Sequence, residues 1–149
     1  MRDIDKIIIH CSFTTLEMKT TVKDVKHWHV DDNGWSDIGY HIFIDVNGNT
    51  FTGRPITKMG AGVSGHNKGS IHICYSGGAT RNKDGSLNFI DTRTESQKEA
   101  LIDMIKYYKI QFPKAIIYGH NNFANKACPC FDAKKEYREI SNMFNHLVK

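Results

Sequence analysis

Ile7-Ile8-Ile9-His10-Cys11 is a β-branched run with no helical period, which reads as a buried strand that delivers His10 at its C-terminal end. A second run, Ala115-Ile116-Ile117-Tyr118, hands over His120 in the same manner. Between them Ser70-Ile71-His72-Ile73-Cys74-Tyr75 is a further strand candidate, closed by Gly77-Gly78.

The intervening segments carry helix and turn signals. Thr21 is placed to cap a helix running to about Val30, with Asp24 as capping-box partner. Thr94-Glu95-Ser96-Gln97 has the N-cap and third-position Gln of a full capping box, and Leu101, Met104, Ile105 and Tyr108 follow at helical spacing. Asp132 can cap a last helix with Tyr137, Ile140, Phe144 and Leu147 on one face. Residues 40–46 and 49–52 flank Asn47-Gly48, the strongest short hairpin signal, whereas residues 79–93 read as a loop. Strands alternating with helices, plus one hairpin, predict an α/β fold: a central mixed β-sheet flanked by α-helices.

The 149 residues suit one domain, residues 1–149, around a single core. Lysines and arginines are scattered, so the net charge of +4 tilts the surface mildly toward anionic polymers without marking a nucleic-acid tail. No apolar run approaches the roughly 20 residues of a bilayer span, and membrane insertion is not expected. The N-terminus lacks the basic-then-apolar layout of a secretory signal, which predicts cytoplasmic synthesis. Cys11, Cys74, Cys128 and Cys130 are therefore expected as thiols or metal ligands and not as disulfides.

His120 and Cys128 lie eight residues apart across a polar loop that can fold back, so imidazole and thiolate could meet one ion. A catalytic zinc site takes three protein ligands and keeps one position open. His10 is the candidate third ligand because active-site residues of α/β folds gather at strand ends. Taken alone, each of the three also fits a satisfied histidine or an inert buried thiol.

Five segments together settle that choice. Ile7-Ile8-Ile9-His10-Cys11-Ser12, Gly34-Trp35-Ser36-Asp37-Ile38-Gly39-Tyr40-His41, Gly53-Arg54, Ser70-Ile71 and Gly119-His120 through Lys126-Ala127-Cys128-Pro129 resemble, in order, the zinc-dependent N-acetylmuramoyl-L-alanine amidases of the type 2 class. That family is shared with bacteriophage amidase lysozymes and peptidoglycan recognition proteins. The resemblance implies one zinc ion per chain on His10, His120 and Cys128. It implies catalytic roles for Tyr40, hydrogen-bonding the attacking water or the oxyanion, and for Lys126, placed beside Cys128 if the stretch is extended. The implied substrate is bacterial peptidoglycan or its muropeptide fragments, cut between N-acetylmuramic acid and L-alanine by a monomer. Lysis by a phage or prophage endolysin and turnover of wall fragments both fit.

The glycine-rich stretch Gly60-Ala61-Gly62-Val63-Ser64-Gly65-His66-Asn67 lies where relatives contact glycan or peptide, so His66 and Asn67 are candidate substrate-binding residues. Two positions depart from the family pattern: many relatives carry histidine at Gly62 and glycine at His72. His72 reads as a surface strand residue or a stray ligand, Cys130 as a competitor of Cys128, and Trp28 and Trp35 as packing residues. The alternative function is a recognition module that binds wall fragments without cutting them. Loss of the cysteine ligand marks such relatives, and Cys128, Lys126 and Tyr40 are all present here.

Overall fold

The strand β1 (Lys6–Cys11) runs inside the sheet, as its composition demands: Ile7, Ile8 and Ile9 are fully buried. The computed structural model describes residues 2–147 and the side chains of residues 2–146, so the expected contact of the Leu147 side chain lies outside the described residues. The helix α1 (Val22–His27) opens with the capping box read from the sequence, Asp24 N–H donating to Thr21 Oγ1 at 3.2 Å and Thr21 N–H to the Asp24 carboxylate at 2.8 Å. It winds on through a wider turn over Trp28–Asp32.

β2 (Ile42–Ile44) and β3 (Thr50–Thr52) form the expected hairpin. Its turn is wider than an Asn-Gly pair alone requires. Asp45 N–H reaches the Asn49 carbonyl at 3.0 Å, the Asp45 carboxylate accepts the N–H groups of Asn47 and Asn49, and Gly48 takes a φ of 82°. That is a three-residue loop with glycine in the left-handed region.

β4 (Ser70–Tyr75) is buried throughout. The expected loop at 79–93 instead contains a small hairpin of β5 (Ala79–Arg81) and β6 (Leu87–Phe89). Asp84 shapes its turn by accepting from Ser86 N–H at 2.9 Å, an Asx turn within a polar stretch. α2 (Glu95–Gln111) starts at Thr94 with a second capping box, and β7 (Ile116–Gly119) follows.

The expected last helix is a correction. It divides into α3 (Ala133–Glu136) and α4 (Arg138–Ser141), because Tyr137 between them has a φ of −104° and a ψ of 20°. Tertiary anchors override local propensity here. The Tyr137 hydroxyl accepts from Arg93 Nη1 at 3.1 Å, and Ser141 Oγ accepts from Ile117 N–H at 3.0 Å.

The main sheet has the order β3-β2-β4-β1-β7, with β2, β4, β1 and β7 parallel and β3 antiparallel at one edge. This is the expected mixed sheet. One face carries Ile7, Ile9, Ile42, Ile44, Ile71, Ile73, Tyr75 and Ile117, which pack with Leu101 and Ile105 of α2 and with Ala133 and Tyr137. Each buried isoleucine contributes about 1.5–3 kcal/mol. By the two-residue alternation of strands, the opposite face receives Ile8, His10, His41, Phe43, His72, Cys74 and Tyr118. Among the described residues no helix is long and apolar enough to cross a membrane.

Candidate metal centre

β1 and β7 are neighbours, parallel, with Ile9 opposite Gly119. The next residues, His10 and His120, therefore leave adjacent strands side by side, and their ring centroids are 5.0 Å apart. Chain continuity alone would not bring Cys128 there. A single helical turn, His120–Asn122, reverses the chain, and Asn121 N–H donates to the Cys128 carbonyl at 2.8 Å. Cys11 N–H donates to Cys128 Sγ at 3.2 Å, and the buried Tyr75 hydroxyl holds the Pro129 carbonyl at 2.6 Å.

One donor atom from each of His10, His120 and Cys128 lies within 4.8 Å of the others. Cys128 Sγ is 3.9 Å from His10 Nδ1. For tetrahedral zinc, bond lengths of about 2.3 Å to sulfur and about 2.05 Å to nitrogen give an edge of about 3.6 Å, so this edge needs only a few tenths of an ångström to close. Burial, then the neighbouring His72, His120, Lys126 and His29, drives the His10 pKa well below its ordinary value. Burial, then Lys126, lowers that of His120. Both rings are thus neutral, the form that binds metal. Three donors of types N, N and S fit zinc and leave one tetrahedral position for a reactant.

Tyr40 stands beside this group, its ring centroid 4.9 Å from that of His10. Burial, then the thiols of Cys74, Cys128 and Cys11, raises its phenol well above the ordinary range, so the hydroxyl keeps its proton and can donate. Lys126 is exposed, yet its ammonium depresses both His10 and His120. The backbone there is a tight turn, with Lys126 N–H bonded to the Ala124 carbonyl at 2.9 Å, and not the extended stretch expected.

The glycine-rich loop is ordered from within. Asn67 Oδ1 accepts from the N–H groups of Gly62 and Val63, each at 2.9 Å, so Asn67 shapes the loop. The His66 ring lies against Phe123, centroids 4.4 Å apart. Cys130 does not join the three donors among the described residues; its sulfur faces Cys11 Sγ at 3.8 Å and the Gly78 carbonyl.

His72 is a correction: it is neither a surface residue nor a member of the donor group, being fully buried with its Nδ1 2.8 Å from His10 Nε2. The two departures from the family pattern also prove to be one feature, because a Cβ on Gly62 would fall 2.4 Å from His72 Nδ1. Burial lowers the His72 pKa to about 3 and that of His41 to about 4. Sequence reading also missed His29, whose Nδ1 accepts from Gly39 N–H at 2.9 Å while its ring rests between Trp35 and Tyr40. Strand alternation would have placed His41 and His72 on the face of His10; nothing local marks His29.

Fold and site define an α/β protein with a three-donor cluster able to hold a metal at the C-terminal ends of parallel strands. Residues 1–131 match the N-acetylmuramoyl-L-alanine amidase family. The endolysin of Klebsiella phage KP32 is 34% identical over 134 residues, covering 90% of this chain and 85% of that protein. The endolysin of Enterobacteria phage K11 is 33% identical over 134 residues, with 90% and 85% covered. Among solved structures, N-acetylmuramoyl-L-alanine amidase LysC from Clostridium intestinale URNW shares the fold, with a TM-score of 0.75 at 23% identity over 97% of this chain and 87% of that one. The chain belongs to the N-acetylmuramoyl-L-alanine amidase family.

Proposed function

We propose that the chain is a single-domain, monomeric, zinc-dependent amidase that hydrolyses the bond between N-acetylmuramic acid and L-alanine in bacterial peptidoglycan. The observation that carries this reading is the approach of His10, His120 and Cys128 donors to within 4.8 Å of one another in a chain of this family. A zinc ion there would supply Lewis acidity, making water nucleophilic at neutral pH and polarising the scissile carbonyl.

The protein's own residues do the rest. His10, His120 and Cys128 would hold the ion. Tyr40, whose phenol keeps its proton, hydrogen-bonds the attacking water or donates to the amide oxygen as charge gathers there. Lys126 offers a cation to the same oxygen, which stabilises the transition state more than the ground state. His66 and Asn67 belong to the loop assigned to glycan or peptide. The similarity to phage endolysins supports action on the cell wall.

Metal analysis beside digestion of purified peptidoglycan tests the reading. One zinc per chain and release of stem peptides with a free N-terminal alanine are expected. Zinc without product would leave a binding module, and a chain that takes up no zinc would overturn the proposal.

A further inference from the structure

We infer that His72 is a positioning residue for the metal ligand His10, accepting the Nε2 hydrogen of His10 on its own Nδ1 and so fixing which His10 nitrogen faces Cys128 and His120. The inference rests on the metal reading above. A neutral imidazole has one donor and one acceptor nitrogen. If His10 binds through Nδ1, the atom 3.9 Å from Cys128 Sγ, its proton sits on Nε2, and Nε2 lies 2.8 Å from His72 Nδ1. A ligand imidazole whose second nitrogen is held in this way keeps its tautomer and its ring plane.

His72 is itself held by its backbone and by the residues that close on its ring. Its backbone N–H donates to His41 Nδ1 at 3.0 Å, and the His41 ring is fixed by Nε2 donating to the Lys58 carbonyl at 2.8 Å. The rings of His41 and His72 are parallel to within 3°. Gly60 and Gly62 close on the imidazole so tightly that a Cβ would fall 2.7 Å from His72 Cδ2 at the first and 2.4 Å from Nδ1 at the second.

The choice of histidine at this position carries a cost. With Nδ1 accepting, the His72 proton is on Nε2, which is buried and has no partner among the described residues. An apolar side chain would avoid that orphan donor, so packing alone does not account for histidine here.

The test compares His72→Asn, which keeps a short-range acceptor, with the near-isosteric His72→Leu, which removes it. Zinc affinity is read by competition with a chromophoric chelator, and thermal unfolding of the metal-free chains reports the fold. His72→Leu is expected to weaken zinc binding roughly 10–100-fold with little loss of metal-free stability, and His72→Asn to restore most of the affinity. Unchanged affinity in His72→Leu, or an equal fall in both variants, overturns the inference. Nitrogen NMR of the wild-type zinc form gives a reading that needs no variant: His10 Nε2 protonated and His72 Nδ1 unprotonated supports the assignment, and the reverse sinks it. Failure of the wild-type chain to take up zinc would instead remove the metal reading itself.

Discussion

Cys128 Sγ stands 3.9 Å from His10 Nδ1 across 118 residues of chain. The contact joins the end of β1 to a loop that is also held by the Asn121 N–H bond to the Cys128 carbonyl, by the Tyr75 hydroxyl on the Pro129 carbonyl and by the Cys130 sulfur facing Cys11 and the Gly78 carbonyl. Cys128→Ser should keep the fold and lose more zinc affinity than the roughly 10–100-fold that loss of an outer partner costs, with turnover falling alongside. Zinc content and release of stem peptides measure both. A serine variant with full metal and full activity would remove Cys128 from the centre.

Lys126 acts on charge and not on the ion. Lys126→Ala should retain zinc and lose about 10²–10³-fold in turnover, the usual effect of deleting one oxyanion-stabilising group. Steady-state kinetics with metal analysis on the same sample separate the two effects, and unchanged turnover would sink the assignment.

Gly62 and His72 should behave as a coupled pair. Gly62→Ala places a methyl group 2.4 Å from His72 Nδ1, an overpacking expected to cost about 1–3 kcal/mol. Adding His72→Gly should recover much of that loss, because the side chain in the way is gone. Urea unfolding of the two single variants and the double variant gives the interaction; strict additivity would contradict the contact.

Lys109 is a fully buried cation that donates to the carbonyls of Pro113, Ala115 at 2.7 Å and Ser141 at 2.8 Å. It ties the C-terminal end of α2 to the start of β7 and the end of α4. Lys109→Met strips a donor from three carbonyls and should cost about 2–4 kcal/mol, seen as a fall of roughly 5–15 °C in Tm. A shift within error would show that water replaces the ammonium without loss.

Arg93 forks onto two carboxylates, Asp91 and Glu136, and its guanidinium carbon lies 3.4 Å from the centre of the Phe131 ring. Hydrogen bonds from Arg93 lower the Glu136 pKa; burial pushes Asp91 up, but Arg93 outweighs it and the net shift is also downward. Depressed carboxylates contribute stability that is complete above their unfolded pKa values of about 4 and is lost as pH falls through the lower folded values. Both acids are partly exposed, so the slope is modest. Arg93→Gln should lower stability near neutrality and flatten the acid limb below about pH 4, where the unfolded carboxylates titrate. An acid limb identical to the wild type would exclude this network as its source.

How much of this was legible in the sequence differs by element. The strands at Ile7-Ile8-Ile9 and Ile116-Ile117, both capping boxes and the Asn47-Gly48 hairpin follow from local sterics and near-neighbour hydrogen bonds, which a few adjacent residues determine. The β5–β6 hairpin rests on a single Asx turn in polar sequence, and the break at Tyr137 on partners 20 or more residues away, so neither announces itself locally. For the site, the sequence by itself named His10, His120 and Cys128 through ordered motifs along the chain. Only the tertiary structure decided that β1 and β7 are parallel neighbours in register, which sets two histidines side by side. Only it decided that His72 turns inward against His10 in space left by Gly60 and Gly62. Chain-local physics specifies a strand and its alternation; which strand lies next to it, and which ring meets which, depends on packing between segments that no short stretch encodes.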